Sequence, residues 1–197
     1  MKRFIKEWGV FILFLTVFFL TRWLVWFTVT VDGHSMDPTL ADREKLLVVK
    51  TAKIDRFDIV VADEVENGTR KQIVKRVIGM PGDTITYKND KLYVNDKETK
   101  EAYLTDYKKR YQKDKLQKTY SYNPYFQSLA QASDAFTQDN SGKTTFSVKV
   151  PKDQYYLLGD DRIVSKDSRS VGSFKKDTIV GEVKFRYWPV TEIGTLK

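Results

Sequence analysis

Between Trp8 and Val31 only one side chain, Arg22, is ionisable. Trp8 to Phe27 supplies the ~20 largely apolar positions with which a helix crosses a hydrocarbon core. The run is apolar on all faces, unlike the one-sided stripe of a helix packed on a soluble core. It therefore predicts a single transmembrane helix over residues 8–28. Lys2, Arg3 and Lys6 precede it, so the positive-inside bias puts a tail of residues 1–7 in the cytoplasm and the rest of the chain outside. Trp8 at one end and Trp23 and Trp26 at the other suit the two headgroup levels, and Arg22 lies near enough to the outer one to snorkel. A cleaved secretory signal competes with this reading. The run is long for one, and Phe27 to Asp32 contains no small-x-small cleavage site, which favours an uncleaved anchor.

Beyond Val31 the period changes to two. Short β-branched runs at Lys45 to Lys50, Phe57 to Ala62, Gln72 to Ile78, Thr84 to Tyr87 and Leu92 to Asn95 predict strands. In ITYKNDKLYVN, Asn89-Asp90 separates two alternating runs, a hairpin signal. Further strands are predicted at Thr145 to Val150, Gln154 to Leu158 and Thr178 to Tyr187. Residues 98–143 between them turn to Tyr, Lys, Gln, Asn and Ser, with a short helix predicted over Ser128 to Phe136. The expected fold is thus mainly β: an N-terminal single transmembrane helix, then a β-rich domain over 29–197 with an internal insertion at about 98–143.

Composition narrows the chemistry. The 197 residues are 41% apolar, enough for one domain with a core, and contain no cysteine. Disulfides, thiol nucleophiles and thiolate metal sites are excluded. Net charge is +8, of which residues 1–31 hold +3 (Lys2, Arg3, Lys6 and Arg22 against Glu7). The remaining bases are interspersed with acids and form no nucleic-acid motif, so nucleic acid is not an expected partner and membrane lipid is. Lys108-Lys109-Arg110 reads most simply as a solvated face.

The single histidine, His34, excludes zinc sites built on paired histidines, and no carboxylate cluster suggests a metal. No cofactor is called for. His34 adjoins Ser35, and in extended backbone neighbouring side chains diverge, so it is badly placed as that serine's base. A hydrolase here needs a carboxylate or a lysine as base. A lysine serves only when burial lowers its pKa, so it belongs in an apolar strand. Lys75 in QIVKRVIGM meets that condition, although a strand lysine is more often a solvated residue with a buried stem. In VDGHSMDPTL, Gly33 permits an unusual backbone shape and Asp37-Pro38 sets a turn just after Ser35. By itself such a turn is more often structural.

Taken in order, GHSMDPTL, RFDIVVA, KRVIGMPGDTI and GDDRIVSKDSR behind an N-terminal apolar segment resemble the motif series of bacterial signal peptidase I, closest to the compact single-span form of Gram-positive bacteria. The motifs span residues 33–169, and the insertion carries little of the likeness. The resemblance implies a Ser/Lys dyad, with Ser35 as nucleophile and Lys75 as general base. It puts Ser165 where a hydroxyl orients the lysine amine, and Asp167 and Arg169 where the family keeps an ion pair. Asp160, Arg162 and Arg76 match supporting residues, and Met36 a residue beside the substrate cleft. The implied activity is a membrane-bound serine endopeptidase that removes signal peptides from exported preproteins, favouring small residues at the first and third positions before the cut. Two departures stand out. Asp161 replaces the commoner Asn of the last motif, and Gly33 stands where some relatives carry a serine that helps bind the oxyanion.

Other readings fit less of the chain. Ser173 to Lys176 matches the S-x-x-K of penicillin-binding enzymes, but the companion motifs are missing. A self-cleaving repressor would need a DNA-binding half. A catalytically silent, membrane-anchored chaperone or assembly factor is the main non-enzymatic alternative, and retention of both Ser35 and Lys75 argues against it.

Overall fold

The computed structural model describes residues 2–66 and 68–196, with side chains from residue 8 onward. The first element, α1, is Lys2–Leu24. It corrects the expected transmembrane helix over 8–28: among the described residues no helix is long and apolar enough to cross a membrane. From Trp8 to Leu24, at about 1.5 Å per residue, the helix covers roughly 26 Å, short of the ~30 Å hydrocarbon thickness. The end of the apolar run is taken by the sheet instead. Trp26 to Thr30, aromatic and β-branched, forms β1 (Trp26–Thr30) and pairs in register with β2 (Lys45–Val49), from Trp26 opposite Val49 to Thr30 opposite Lys45.

The body is β-rich. β3 (Ile59–Glu66) and β4 (Thr69–Gly79) form a long antiparallel hairpin, followed by β5 (Thr84–Lys88), β6 (Lys91–Val94) and β7 (Lys97–Thr99). Asn89 and Asp90 both have positive φ, the pair required by a tight two-residue hairpin turn. Helices α2 (Thr105–Asp114) and α3 (Pro124–Ala132) come next, then β8 (Thr145–Lys149), β9 (Gln154–Leu158), a short α4 (Ser168–Val171), β10 (Phe174–Lys175), β11 (Ile179–Trp188) and β12 (Gly194–Thr195). The larger sheet runs β1-β2-β11-β3-β4-β9-β10, with β12 beside β11; the smaller runs β7-β6-β5-β8. Every pairing is antiparallel.

Alternation along β3 shows how the larger sheet is buried. Ile59 and Val61 join Val31, Met36, Leu40 and Leu46 on one face, whereas Val60 and Ala62 join Val77, Tyr155 and Leu157 on the other. At ~1.5–3 kcal/mol per fully buried aliphatic side chain, two such faces hold β3 and β4 rigid where the site lies.

The segment between β7 and β8 has its own core, in which Leu104, Tyr107, Tyr111, Leu116, Tyr120 and Phe136 pack together. α3 starts earlier than the expected helix over Ser128 to Phe136. Asn123 caps it by accepting from the Tyr125 and Phe126 N–H groups, and Pro124 sits in the first turn. It stops at Ala132, because Ser133 is extended. α2 was not expected. Leu104, Tyr107 and Tyr111, spaced three and four apart, were its only local sign.

Candidate active site

After β1 the chain turns sharply at residues 33–40, where the Leu40 N–H donates to the Met36 carbonyl and the Asp37 N–H to that of His34. Gly33 has φ of +86°, which a residue with a side chain rarely adopts, and the Asp37-Pro38 bond is cis. This turn carries Ser35 to the middle of β4, where Lys75 lies opposite Val60 of β3. The Lys75 Nζ donates to the Ser35 Oγ at 2.7 Å. Lys75 is 4% exposed. Burial pushes its amine down to about 8, against the upward pull of the Asp167, Glu64 and Asp160 carboxylates. A substantial neutral fraction is therefore present at mildly alkaline pH. Among the described residues, the Ser35 N–H makes no hydrogen bond.

Arg76, the next residue, points to the opposite side of the strand, yet it too is fully buried. It forms a two-pronged pair with Asp160, Nε to Oδ1 at 2.8 Å and Nη2 to Oδ2 at 2.6 Å. Thr39 adds a hydroxyl to Asp160, and Arg76 also donates to the Phe57 carbonyl. Arg162 donates through Nε to the Gly159 carbonyl and through Nη2 to Glu101 at 2.5 Å. Burial alone would raise the Glu101 carboxyl, but Arg162 and Lys108 bring it down to about 2.

Asp167 is fully buried, accepts from Arg169 Nε at 2.8 Å and Nη2 at 2.9 Å, and takes the Gly159 N–H at 3.0 Å. Burial raises its pKa, but the Arg169 charge and these hydrogen bonds outweigh that and keep it below the usual carboxylate range. Ser165 is not brought into hydrogen bonding with Lys75. Its buried Oγ has no partner of ordinary geometry, although its proximity helps keep Asp167 ionised. Met36 is 1% exposed, part of the core under the turn, with one edge on the cleft. The His34 ring makes no hydrogen bond to the Ser35 hydroxyl. Its Nδ1 lies 3.0 Å from the Asp37 carboxylate, and its ring packs on Tyr122 and Phe126.

Ser35 and Lys75 open into a cleft of about 280 Å³ between residues 30–36 and the start of β4, walled by Phe126 and Val164. Several residues around it were not legible in the sequence. A Cβ on Gly159 would collide with the Ser165 hydroxyl and the Ser35 carbonyl, so only glycine permits these two segments to touch. Tyr107 and Tyr120, from the segment between β7 and β8, donate to Asp161. Burial pushes the Asp161 carboxyl up to about 6 despite those hydroxyls. A serine hydroxyl beside a buried, partly neutral amine, with a free N–H on the serine itself, can carry out nucleophilic attack on a carbonyl.

Relatives bear on what that chemistry is used for. A sequence from Streptococcus pneumoniae R6 named signal peptidase I is 60% identical over 201 residues, covering 98% of each chain. A signal peptidase IB from Staphylococcus aureus COL is 38% identical over 198 residues, covering 98% of this chain and 94% of the other. A crystal structure of a signal peptidase I from Enterococcus faecalis V583 is 27% identical, with a TM-score of 0.47, and covers 66% of this chain and 97% of that one. The family model described as signal peptidase, peptidase S26, matches residues 5–188. With so much of the chain inside that match, it belongs to the signal peptidase family, peptidase S26, the serine endopeptidases that remove signal peptides from preproteins.

Proposed function

We propose that this signal peptidase works through Ser35 as nucleophile and Lys75 as general base. The neutral Lys75 amine takes the Oγ proton as Ser35 attacks the scissile carbonyl, and the resulting ammonium returns it to the departing amine. An acyl-enzyme on Ser35 remains, and Lys75 then activates the water that hydrolyses it. The Ser35 N–H is one donor to the oxyanion formed in each half. The observation that carries this reading is the 2.7 Å contact between an almost fully buried lysine and the serine hydroxyl.

Asp167 and Arg169 form a rigid buried pair behind Lys75, and the Arg76–Asp160 and Arg162–Glu101 pairs fasten β4 and the 159–165 loop to the core. Ser165 takes the orienting role toward the Lys75 amine on the strength of its place in the motif, its buried hydroxyl lying beside Asp167. Met36 floors the cleft. A preprotein lies extended between residues 30–36 and the β4 edge, with small side chains at the first and third positions before the cut. The catalytic unit is residues 29–197, interrupted by 98–143, and it works on the extracytoplasmic face against membrane lipid. Val10, Leu13, Phe14, Phe19 and Trp23 on α1 are exposed apolar surface suited to lipid contact.

Ser35→Ala and Lys75→Met are each expected to abolish preprotein cleavage in folded protein. Full processing by Lys75→Met would sink the assignment.

A further inference from the structure

Asp161, which stands where the resemblance implies a commoner Asn, has its partners in the segment between β7 and β8. Tyr120 Oη lies 2.6 Å from Asp161 Oδ1 and 2.7 Å from Oδ2, and Tyr107 Oη lies 3.0 Å from Oδ2. The Ile163 N–H adds a further donor to Oδ1 at 3.2 Å. Asp161 has no solvent exposure. Burial, followed by the charge of Asp161, raises both phenols, which therefore stay protonated as donors.

The main chain of the same residue reaches the catalytic elements. The Asp161 N–H donates to the Ser35 carbonyl at 3.1 Å, and the Asp161 carbonyl accepts from the Ser165 N–H at 3.0 Å. Ile163 and Val164, on the same loop, pack against the Leu104–Phe136 core, and Arg162 binds Glu101 and Tyr103 of that segment. Asp161 itself is thus tied to Ser35, and residues 162–164 to the inserted segment. An asparagine offers one acceptor oxygen, whereas a carboxylate accepts from both hydroxyls and the backbone at once.

We propose that Asp161 is a positioning residue, held by Tyr107 and Tyr120, through which the inserted segment sets the placement of the Ser35 turn against the Ser165 loop. The segment is then part of the catalytic scaffold of this enzyme. The proposal rests on the Ser35–Lys75 reading. Its physical basis is that displacing a reacting group by about 1 Å costs roughly a hundredfold in rate.

The test uses the full chain and a preprotein with Ala at the first and third positions before the cut, well below the melting temperature of every variant. Tyr107→Phe, Tyr120→Phe, their combination, Asp161→Ala and Asp161→Asn are compared in kcat and KM. The double Tyr→Phe variant and Asp161→Ala are expected to lose at least about tenfold in kcat with KM within about threefold. Asp161→Asn, which keeps one of the two acceptor oxygens, should recover kcat only in part, to between Asp161→Ala and the original. Adding Asp161→Ala to the double variant should cost little more, because the groups act as one unit. Should Asp161→Ala not fold, the Tyr→Phe variants, each lacking a single oxygen, decide the matter. A kcat within twofold of the original in the double variant, or a loss that only tracks the folded fraction, overturns the proposal. Lys75→Met, run alongside, separates the cases: cleavage by that variant refutes the dyad, whereas an inactive Lys75→Met with an unmoved kcat in the tyrosine variants refutes the positioning role alone.

Discussion

Lys75→Met should make the protein more stable while removing its activity. Burial lowers the Lys75 amine from 10.5 to about 8. At ~1.4 kcal/mol per pKa unit, holding this lysine in its pocket costs the folded state about 3 kcal/mol wherever both folded and unfolded chains are protonated, that is, below pH 8. Methionine fills a similar volume with no charge. Losing the hydrogen bond to Ser35 takes back ~1 kcal/mol, leaving a net gain of about 2 kcal/mol at pH 7. For a chain of this length that is a rise of ~4–8 °C in melting temperature. The gain must also depend on pH. Between pH 8 and 10.5 the unfolded chain binds a proton that folded Lys75 has released, so the original protein becomes relatively more stable as pH rises and the gap closes. Thermal melts of both proteins from pH 6 to 9.5 read this directly. A variant that melts at or below the original at pH 7, or a gap equal at pH 7 and 9.5, would refute a buried lysine held mostly by desolvation cost.

Two further outcomes follow from the same electrostatics. In the pH dependence of kcat/KM, activity should rise through about pH 8 as Lys75 loses its proton, and Asp167→Asn should move that inflection to lower pH, since Asp167 is the strongest of the charges raising it; an upward move would contradict the assignment. Glu101→Gln leaves Arg162 and Lys108 without their shared counter-charge, and urea denaturation at pH 7 should show a loss of roughly 3–5 kcal/mol. Because the Glu101 carboxyl is lowered to about 2, its stabilising effect should be complete above about pH 4.5 and fade as pH falls toward 2, so the two proteins converge in acid.

What the sequence determined by itself was local. The period-two runs marked most strands, the Asn89-Asp90 pair marked a tight turn, and the absence of cysteine with a single histidine removed thiol and paired-histidine zinc chemistry. Lys75 was legible as a lysine in an apolar strand, but its pairing with Ser35 rested on resemblance, since 40 residues separate the two in the chain. The tertiary structure decided the rest, for identifiable reasons. The N-terminal helix stops at Leu24 because β2 offers Trp26 to Thr30 a pairing partner, which hydropathy alone does not register. Arg76 is buried beside Lys75 because Asp160, 84 residues away, meets its guanidinium. Asp161 was visible as a departure from the family pattern. Its meaning became visible only when folding brought two tyrosines, 54 and 41 residues distant, onto one carboxylate. Residue type and spacing report what a side chain does within a turn or a strand, whereas a buried charge takes its partners from wherever the packed chain delivers them.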